Sequence, residues 1–244
     1  MSLPNSSAPD FNLSRDSKPI LCYVTDRLSL PAAPQKDLMD LLQKKIELIA
    51  AAGIDWIQLR EKDLSGKQSA SLAREALNRV SKQGSHSKFA TRIIVNDRLD
   101  VALGEQTGGV HLGGSSLPVE EAKRLLLSSP AAQTLTHDFI LGVSCHSLED
   151  AKSAAYSGAD YIFFGPIFAT PSKAAYGSPQ GLDRLTEVCR SVNIPVLAIG
   201  GITLANISAC LSAGASGIAA IRLFQDSADP AGLICAIPTK ISNP

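Results

Sequence analysis

The sequence has no cysteine pair at CxxC spacing, no excess of charge of either sign, and no apolar run near the roughly 20 residues that a membrane-spanning helix needs. The first absence bears on redox and metal chemistry. Five cysteines (Cys22, Cys145, Cys189, Cys210, Cys235) are an odd number and lie far apart. That argues against a disulfide scaffold or a zinc site and for reduced thiols in a cytoplasmic protein. The second absence bears on partners. Lys plus Arg number 23 and Asp plus Glu number 23, so no global field recruits nucleic acid or an anionic membrane. Clustered charge can still build a local anion site. The opening segment "MSLPNSSAPDFNLSRDSKP" is polar and lacks the apolar stretch of a signal peptide, and residues 1–18 are expected to form a loose, disordered arm. What is present is a chain of 244 residues, 45% of them hydrophobic, enough for one substantial core. Residues 19–244 are expected to be a single domain.

From Pro19 onward, short β-branched or apolar runs alternate with amphipathic stretches. The strand candidates are "ILCYVTD", "IDWIQLR", "RIIVND", "GVHLG", "FILGVSC", "DYIFFGPIF", "PVLAIGG" and "GIAAIRLF". Helix candidates lie between them. In "DLMDLLQKKIELIAAAG" the residues Leu38, Leu41, Leu42, Leu48 and Ile49 can share one broad face. Several of these stretches open on Ser, Thr or Asp and close near Gly, as helix caps require. Gly53-Ile54-Asp55, Gly158-Ala159-Asp160 and Gly214-Ala215-Ser216 each look like a C-terminal cap feeding the next strand. Eight strand-plus-helix units spaced by roughly 25 to 35 residues predict a (β/α)8 TIM barrel. A doubly wound open sheet is the rival, but its Gly-rich phosphate fingerprint is missing.

A barrel of this kind concentrates its chemistry where strands end and loops begin, on one rim. Gln58, Arg60 and Lys62 follow the second run at i, i+2 and i+4, so extended backbone would point all three the same way. One amide and two cations in a fan suit a multidentate anion such as a diphosphate. The plainer reading is a solvated strand end with Glu61 paired to Lys62. Asn96 and Asp97 supply oxygen ligands for a hard cation, or else an Asx turn capping the helix "RLDVAL". Gly200-Gly201 would let backbone N–H groups approach a phosphate beside a helix starting at Thr203, or would be an ordinary tight turn. Arg222, closing the last run, would reinforce that phosphate site or lie along the rim. His111 and His146 flank the rim in the fourth and fifth runs and are candidates for proton transfer or for structural hydrogen bonds. His86 and His137 carry no signal. Cys145 is expected to face the helices. No nucleophile triad is visible.

The blocks "QLREKD", "VNDRLDVAL", "GVHLG", "GVSCHSLEDA", "FFGPIFATPSK", "IPVLAIGGIT" and "GASGIAAI" together resemble the thiamine phosphate synthases and the related thiazole tautomerases. The match spans about Leu21 to Leu223, nearly the whole ordered chain. The resemblance implies a barrel enzyme that couples a pyrimidine diphosphate to a thiazole phosphate with loss of pyrophosphate. In that family the diphosphate is held by positions matching Gln58, Arg60, Lys62 and Asn96, with Mg²⁺ at the position matching Asp97. The fifth-strand serine matches Ser144. Thr170, Ser172 and Lys173 match the loop that contacts the thiazole phosphate, as do Gly200, Gly201, Ile221 and Arg222 on the later strands. Arg60, Lys62, Ser144, His146 and Lys173 are the residues expected to carry the chemistry.

The chain departs from the family pattern in three places. The slot for a second Mg²⁺-binding aspartate, in "GVHLGGSSLP", holds Ser116, a poor replacement for a carboxylate toward a hard divalent cation. Arg222 stands where the family has a small hydroxyl residue, and the loop reads "TPSK". The leading expectation is thiamine phosphate synthase activity. Thiazole tautomerase activity with His146 as proton carrier, or a barrel that only binds a thiazole or phosphate ligand, are the alternatives. The expected partners are small-molecule substrates, with neither nucleic acid nor membrane; a homo-oligomer is left open. The segment "FFGPIFATPSKAAYGSPQG" is expected to be the sixth strand's end and a loop closing over phosphorylated substrates.

Overall fold

Alternation of apolar residues with period two decides which way each strand faces, and the computed structural model shows the result of eight such runs closing on themselves. It describes residues 18–31, 37–83, 91–128, 139–170 and 178–239. The strands are β1 (Ile20–Val24), β2 (Trp56–Leu59), β3 (Arg92–Asn96), β4 (Gly109–Leu112), β5 (Ile140–Cys145), β6 (Tyr161–Phe164), β7 (Val196–Ile199) and β8 (Gly217–Ala220). All are parallel, each pairs with the next, and β8 returns to β1. The TIM barrel expected from the repeat is the fold observed. Between and after the strands lie α1 (Leu38–Ala51), α2 (Gly66–Gln83), α3 (Leu99–Gly104), α4 (Val119–Ser128), α5 (Leu148–Tyr156), α6 (Gly181–Ser191), α7 (Ile207–Ser212), α8 (Arg222–Gln225) and α9 (Pro230–Ala236). Among the described residues no helix is long and apolar enough to cross a membrane. Residues 1–17 of the expected arm 1–18, and the histidines His86 and His137, lie outside the described residues, while Lys18 is described and its Nζ bonds Asp55 at 3.2 Å.

Inward-facing residues Cys22, Val24, Trp56, Ile94, Ile140, Tyr161, Phe163, Leu197 and Ala219 fill the barrel. Their sequence neighbours, including Leu21, Tyr23, Ile57, Leu59, Ile93, Val95, Ile162 and Phe164, pack outward against the helices. Each such Leu, Ile or Phe, fully buried, contributes about 1.5–3 kcal/mol relative to exposure. Cys145 belongs to this outer layer, as alternation predicts. Burial pushes its thiol up to about 12, so it is no nucleophile at neutral pH.

The three expected cap glycines adopt left-handed backbone, with φ of +88° at Gly53, +88° at Gly158 and +100° at Gly214. In each the glycine N–H and the next N–H bond back into the last helical turn, as in Gly158 to Ala155 at 3.1 Å and Ala159 to Ala154 at 2.9 Å. This is the Schellman pattern, which satisfies carbonyls a helix end leaves open. The aspartate that follows then ties the sheet together. Asp55 Oδ2 accepts the Leu21 N–H at 2.9 Å, and Asp160 Oδ2 accepts the Leu141 N–H at 2.7 Å.

Three local expectations are corrected. Leu48 is not on the buried face of α1 but 56% exposed; Leu42, Ile46 and Ile49, at i, i+4 and i+7, are the residues buried there. The last run stops being a strand at Ala220, and Arg222 begins α8 instead, where Phe224 and Gln225 bury themselves. Gln225 accepts the Tyr23 hydroxyl at 2.8 Å and bonds the Asp26 carbonyl at 2.8 Å, linking α8 to the loop after β1. Finally, the helix after β7 starts at Ile207, with Asn206 rather than Thr203 before it.

Candidate active site

β2, β3 and β4 end side by side, and their polar ends form one hydrogen-bonded chain. Gln58 is buried and faces into the barrel next to Ile94. Its Nε2 donates to Asn96 Oδ1 at 2.9 Å, and Asn96 Nδ2 donates to Asp97 Oδ2 at 2.6 Å. Asp97 has φ of +60°, a conformation that Asp tolerates better than most side chains. Its Oδ1 accepts the Gly113 N–H at 2.9 Å and the Ser116 hydroxyl in a short contact. Asp97 therefore does not cap the following helix: α3 has Arg98 at its N-cap and no side-chain cap there. Ser116 faces the Asp97 carboxylate directly. Among the described residues no group of three or more His, Cys, Asp or Glu side chains could enclose a metal.

The fan of Gln58, Arg60 and Lys62 is realised only in part. β2 stops at Leu59 and Lys62 sits in a turn, so the alternation that would align the three does not reach it. Lys62 instead lines a cleft of about 290 Å³ with Asn96, Asp97, Arg98, Leu59 and Ser69. Arg60 is half-buried. Its backbone N–H donates to Thr25 Oγ1 at 2.9 Å, and Thr25 N–H donates to the Gln58 carbonyl at 2.9 Å, which locks the ends of β1 and β2 together. Glu61 does not pair with Lys62. It takes Arg27 instead, through Nη1 at 3.0 Å and the backbone N–H at 3.1 Å, and Arg27 also bonds Asp63. Arg98 in the cleft went unnoticed in the sequence; it holds Asp100 with Nε at 2.8 Å.

On β4 and β5 the two candidate histidines differ. His111 is buried, with Nε2 at 2.9 Å from Ser144 Oγ and Nδ1 at 3.1 Å from the Tyr161 hydroxyl. His146 is half-buried just beyond β5 and its Nδ1 bonds the Gly165 carbonyl, while its backbone N–H meets Asp150 at 3.1 Å. An acceptor at Nδ1 requires a proton there, which leaves Nε2 of a neutral ring as the acceptor.

After β6 the chain runs on without strand geometry. Ile167 N–H bonds the Ile199 carbonyl at 2.9 Å, and Phe168 N–H bonds the Gly200 carbonyl at 3.0 Å. The returning end closes on the same segment, Gln180 N–H to Pro166 and Gly181 N–H to Ile167. Gly200 and Gly201 have φ of +94° and +68°. A Cβ on them would come within 2.6 Å of Pro166 and 2.7 Å of Phe168, so this glycine pair makes room for the chain leaving β6. Thr170 is half-buried at the end of that segment, while Pro171, Ser172, Lys173 and Gly177 lie outside the described residues. Ile221 is half-buried and Arg222 exposed, past the end of β8.

A closed parallel barrel with amides, hydroxyls, cations and a carboxylate gathered where its strands end has the layout of a TIM-barrel enzyme. A family model described as thiamine monophosphate synthase matches residues 28–224. A putative thiamine-phosphate synthase of Geobacter sulfurreducens is 40% identical over 210 residues, 86% of this chain and 88% of that one. A thiamine-phosphate synthase of Chlorobium phaeobacteroides is 40% identical over 224 residues, covering 91% and 95%. Among solved structures, thiamine phosphate pyrophosphorylase from Pyrococcus furiosus superposes with a TM-score of 0.72 at 28% identity, covering 91% of this chain and 96% of that one. The chain belongs to the thiamine monophosphate synthase family.

Proposed function

We propose that the chain is a thiamine phosphate synthase, joining 4-amino-5-hydroxymethyl-2-methylpyrimidine diphosphate to 4-methyl-5-(2-hydroxyethyl)thiazole phosphate. The observation that carries this reading is the family match across residues 28–224, with relatives of that name 40% identical over most of both chains. In the reaction the bond from the pyrimidine methylene to the diphosphate oxygen breaks and the electron pair leaves with the diphosphate. The thiazole nitrogen then gives its lone pair to the methylene carbon. Charge accumulates on the leaving group, so what the site must supply is electrostatic stabilisation rather than a nucleophile.

Arg60, Lys62, Gln58 and Asn96 would meet the diphosphate, Lys62 and Asn96 from a shared cleft. Thr170, Ser172, Lys173, Gly200, Gly201, Ile221 and Arg222 would serve the thiazole phosphate, and Ser144 and His146 lie on the rim between the two groups of strands. Mg²⁺ fits the donor set only with the substrate's help. Asp97 would supply one carboxylate oxygen and Ser116 a neutral hydroxyl, and a Mg²⁺ site normally draws its other ligands from phosphate and water. Bound there, the ion would neutralise part of the charge on the departing diphosphate. Ser116→Asp is expected to tighten Mg²⁺ binding about tenfold in calorimetry with diphosphate present; unchanged affinity would remove Asp97 and Ser116 from the metal site.

The reading is tested by incubating the protein with both substrates and Mg²⁺ and following thiamine phosphate and pyrophosphate. Equal amounts of both are expected, and no product at any Mg²⁺ concentration would refute it. The neutral Ser116 facing Asp97 favours a second reading, thiazole tautomerase activity with His146 as proton carrier. Conversion of the thiazole carboxylate tautomer, lost in His146→Ala, would establish that instead.

A further inference from the structure

Three adjacent strands place four residues so that one determines the next. In the register of β4, β5 and β6, His111 lies beside Gly142, Gly142 beside Tyr161, and Ser144 beside Phe163. Tyr161 fills the space a side chain at position 142 would take, since a Cβ there would come within 2.0 Å of the phenol ring. The bare backbone at Gly142 therefore lets Tyr161 reach across β5 to His111 on β4. The imidazole is buried and packed against Phe163, ring centroids 4.1 Å apart. Its two nitrogens face Tyr161 Oη at 3.1 Å and Ser144 Oγ at 2.9 Å.

Directions follow from donor and acceptor counting. The Tyr161 side chain is fully buried, and among the described residues the partner of its hydroxyl is His111 Nδ1. A buried O–H left undonated is strongly unfavourable, so the phenol donates and Nδ1 accepts. Burial also holds the phenol in its protonated form, well above its ordinary titration range. A neutral ring accepting at Nδ1 carries its proton on Nε2, and that N–H donates to Ser144 Oγ. The serine hydroxyl then spends an acceptor site on His111 and keeps its own proton for something else. Ser144 is half-buried, and His111 is its hydrogen-bond partner among the described residues.

We infer that Tyr161 and His111 are positioning residues that fix Ser144 as a hydrogen-bond donor aimed at an acceptor atom of the bound substrate, a ring nitrogen or a phosphate oxygen. That the acceptor belongs to a substrate rests on the synthase reading; the hydrogen-bond directions do not. Of these residues, Ser144 is the one that would meet the ligand. Tyr161 and His111 act through it, and Gly142 makes the arrangement sterically possible.

The first test uses the wild-type protein and needs no turnover: ¹⁵N NMR of the His111 side chain. A protonated Nε2 with an unprotonated Nδ1 is expected, and the Nδ1–H tautomer would overturn the inference. The second is a double-mutant cycle in the condensation assay. His111→Leu and Ser144→Ala should each lower kcat/KM about 10- to 100-fold, the worth of one oriented hydrogen bond. His111→Leu in the Ser144→Ala background should cost no more than about 3-fold, because the residue acts through Ser144. His111→Gln, which returns an N–H near the Nε2 position, should recover most of the loss. Costs that multiply, or a glutamine no better than leucine, would assign His111 a merely structural role. If the leucine variant does not fold, the NMR result decides. A wild-type protein without condensing activity would refute the synthase reading and leave the tautomer result standing.

Discussion

At the N-terminal end of the barrel, the carboxylates of Asp55 and Asp160 accept backbone N–H groups of the preceding strands, Leu21 at 2.9 Å and Leu141 at 2.7 Å. At the C-terminal end, Asp97 also takes a backbone N–H, from Gly113 at 2.9 Å, but its other partners are the side chains of Asn96 and Ser116. The same residue type thus does two jobs. Below, aspartates satisfy strand ends that would otherwise lack acceptors, which is a contribution to stability. Above, the side chains of Asn96, Asp97 and Ser116 satisfy one another, with Asp97 exposed. Barrels of this kind separate stability from chemistry along their axis in this way.

Four substitutions test the contrast. The largest effect on activity is expected at the rim: Asn96→Ala interrupts the chain from Gln58 to Asp97 and should lower kcat/KM by about 100-fold or more. Its melting temperature should stay within a few degrees of wild type, measured on the same preparation. The largest effect on stability is expected inside the barrel, where Gly142→Ala drives a methyl into the Tyr161 ring. Overpacking of that kind costs about 1–3 kcal/mol or more, readable by denaturant unfolding. Asp55→Ala strands the Leu21 N–H and should cost about 1–3 kcal/mol while leaving the activity per folded molecule unchanged.

The smallest effect is a slope. Burial raises the Asp160 carboxyl above its ordinary 3.8, partly opposed by the Leu141 N–H and by Lys123 and Arg92. Between the unfolded and folded values the folded state binds more protons. The contribution of Asp160 to stability is therefore fully present below about 3.8 and is lost as pH rises through the folded value. Asp160→Asn keeps an acceptor for Leu141 and removes the titration, so its unfolding free energy should fall less steeply over that window than the wild type's. Equal slopes would show that Asp160 is not the group responsible.

The barrel was legible because its signals are local and repeated. Each unit carries a period-two run, a period-3.6 stretch and a glycine where the helix must end, and Gly53, Gly158 and Gly214 behave as that pattern requires. Cys145 was placed outward by alternation alone. A local pattern misleads where it runs past the element that justifies it. Alternation would align Lys62 with Gln58, but it ends at Leu59, and the apolar run predicts strand at Arg222, where α8 begins. The apolar residues of α1 suggest a face including Leu48, but Ile46 is the one buried there. The pairings of the rim were not legible, because Ser116 meeting Asp97 and Glu61 meeting Arg27 depend on which strand ends are neighbours. His111 shows the same limit: a histidine in an apolar run says nothing of Tyr161, 50 residues on, until the register across Gly142 is known.

We propose that the C-terminal end of the barrel carries the chemistry and the N-terminal end carries stability. It is tested most directly by measuring thiamine phosphate formation by Asn96→Ala and Asp55→Ala side by side, at equal concentrations of folded protein. Asn96→Ala is expected to lose nearly all product formation and Asp55→Ala to keep the wild-type rate despite its lower stability. Equal losses in the two variants, or a loss confined to Asp55→Ala, would contradict it.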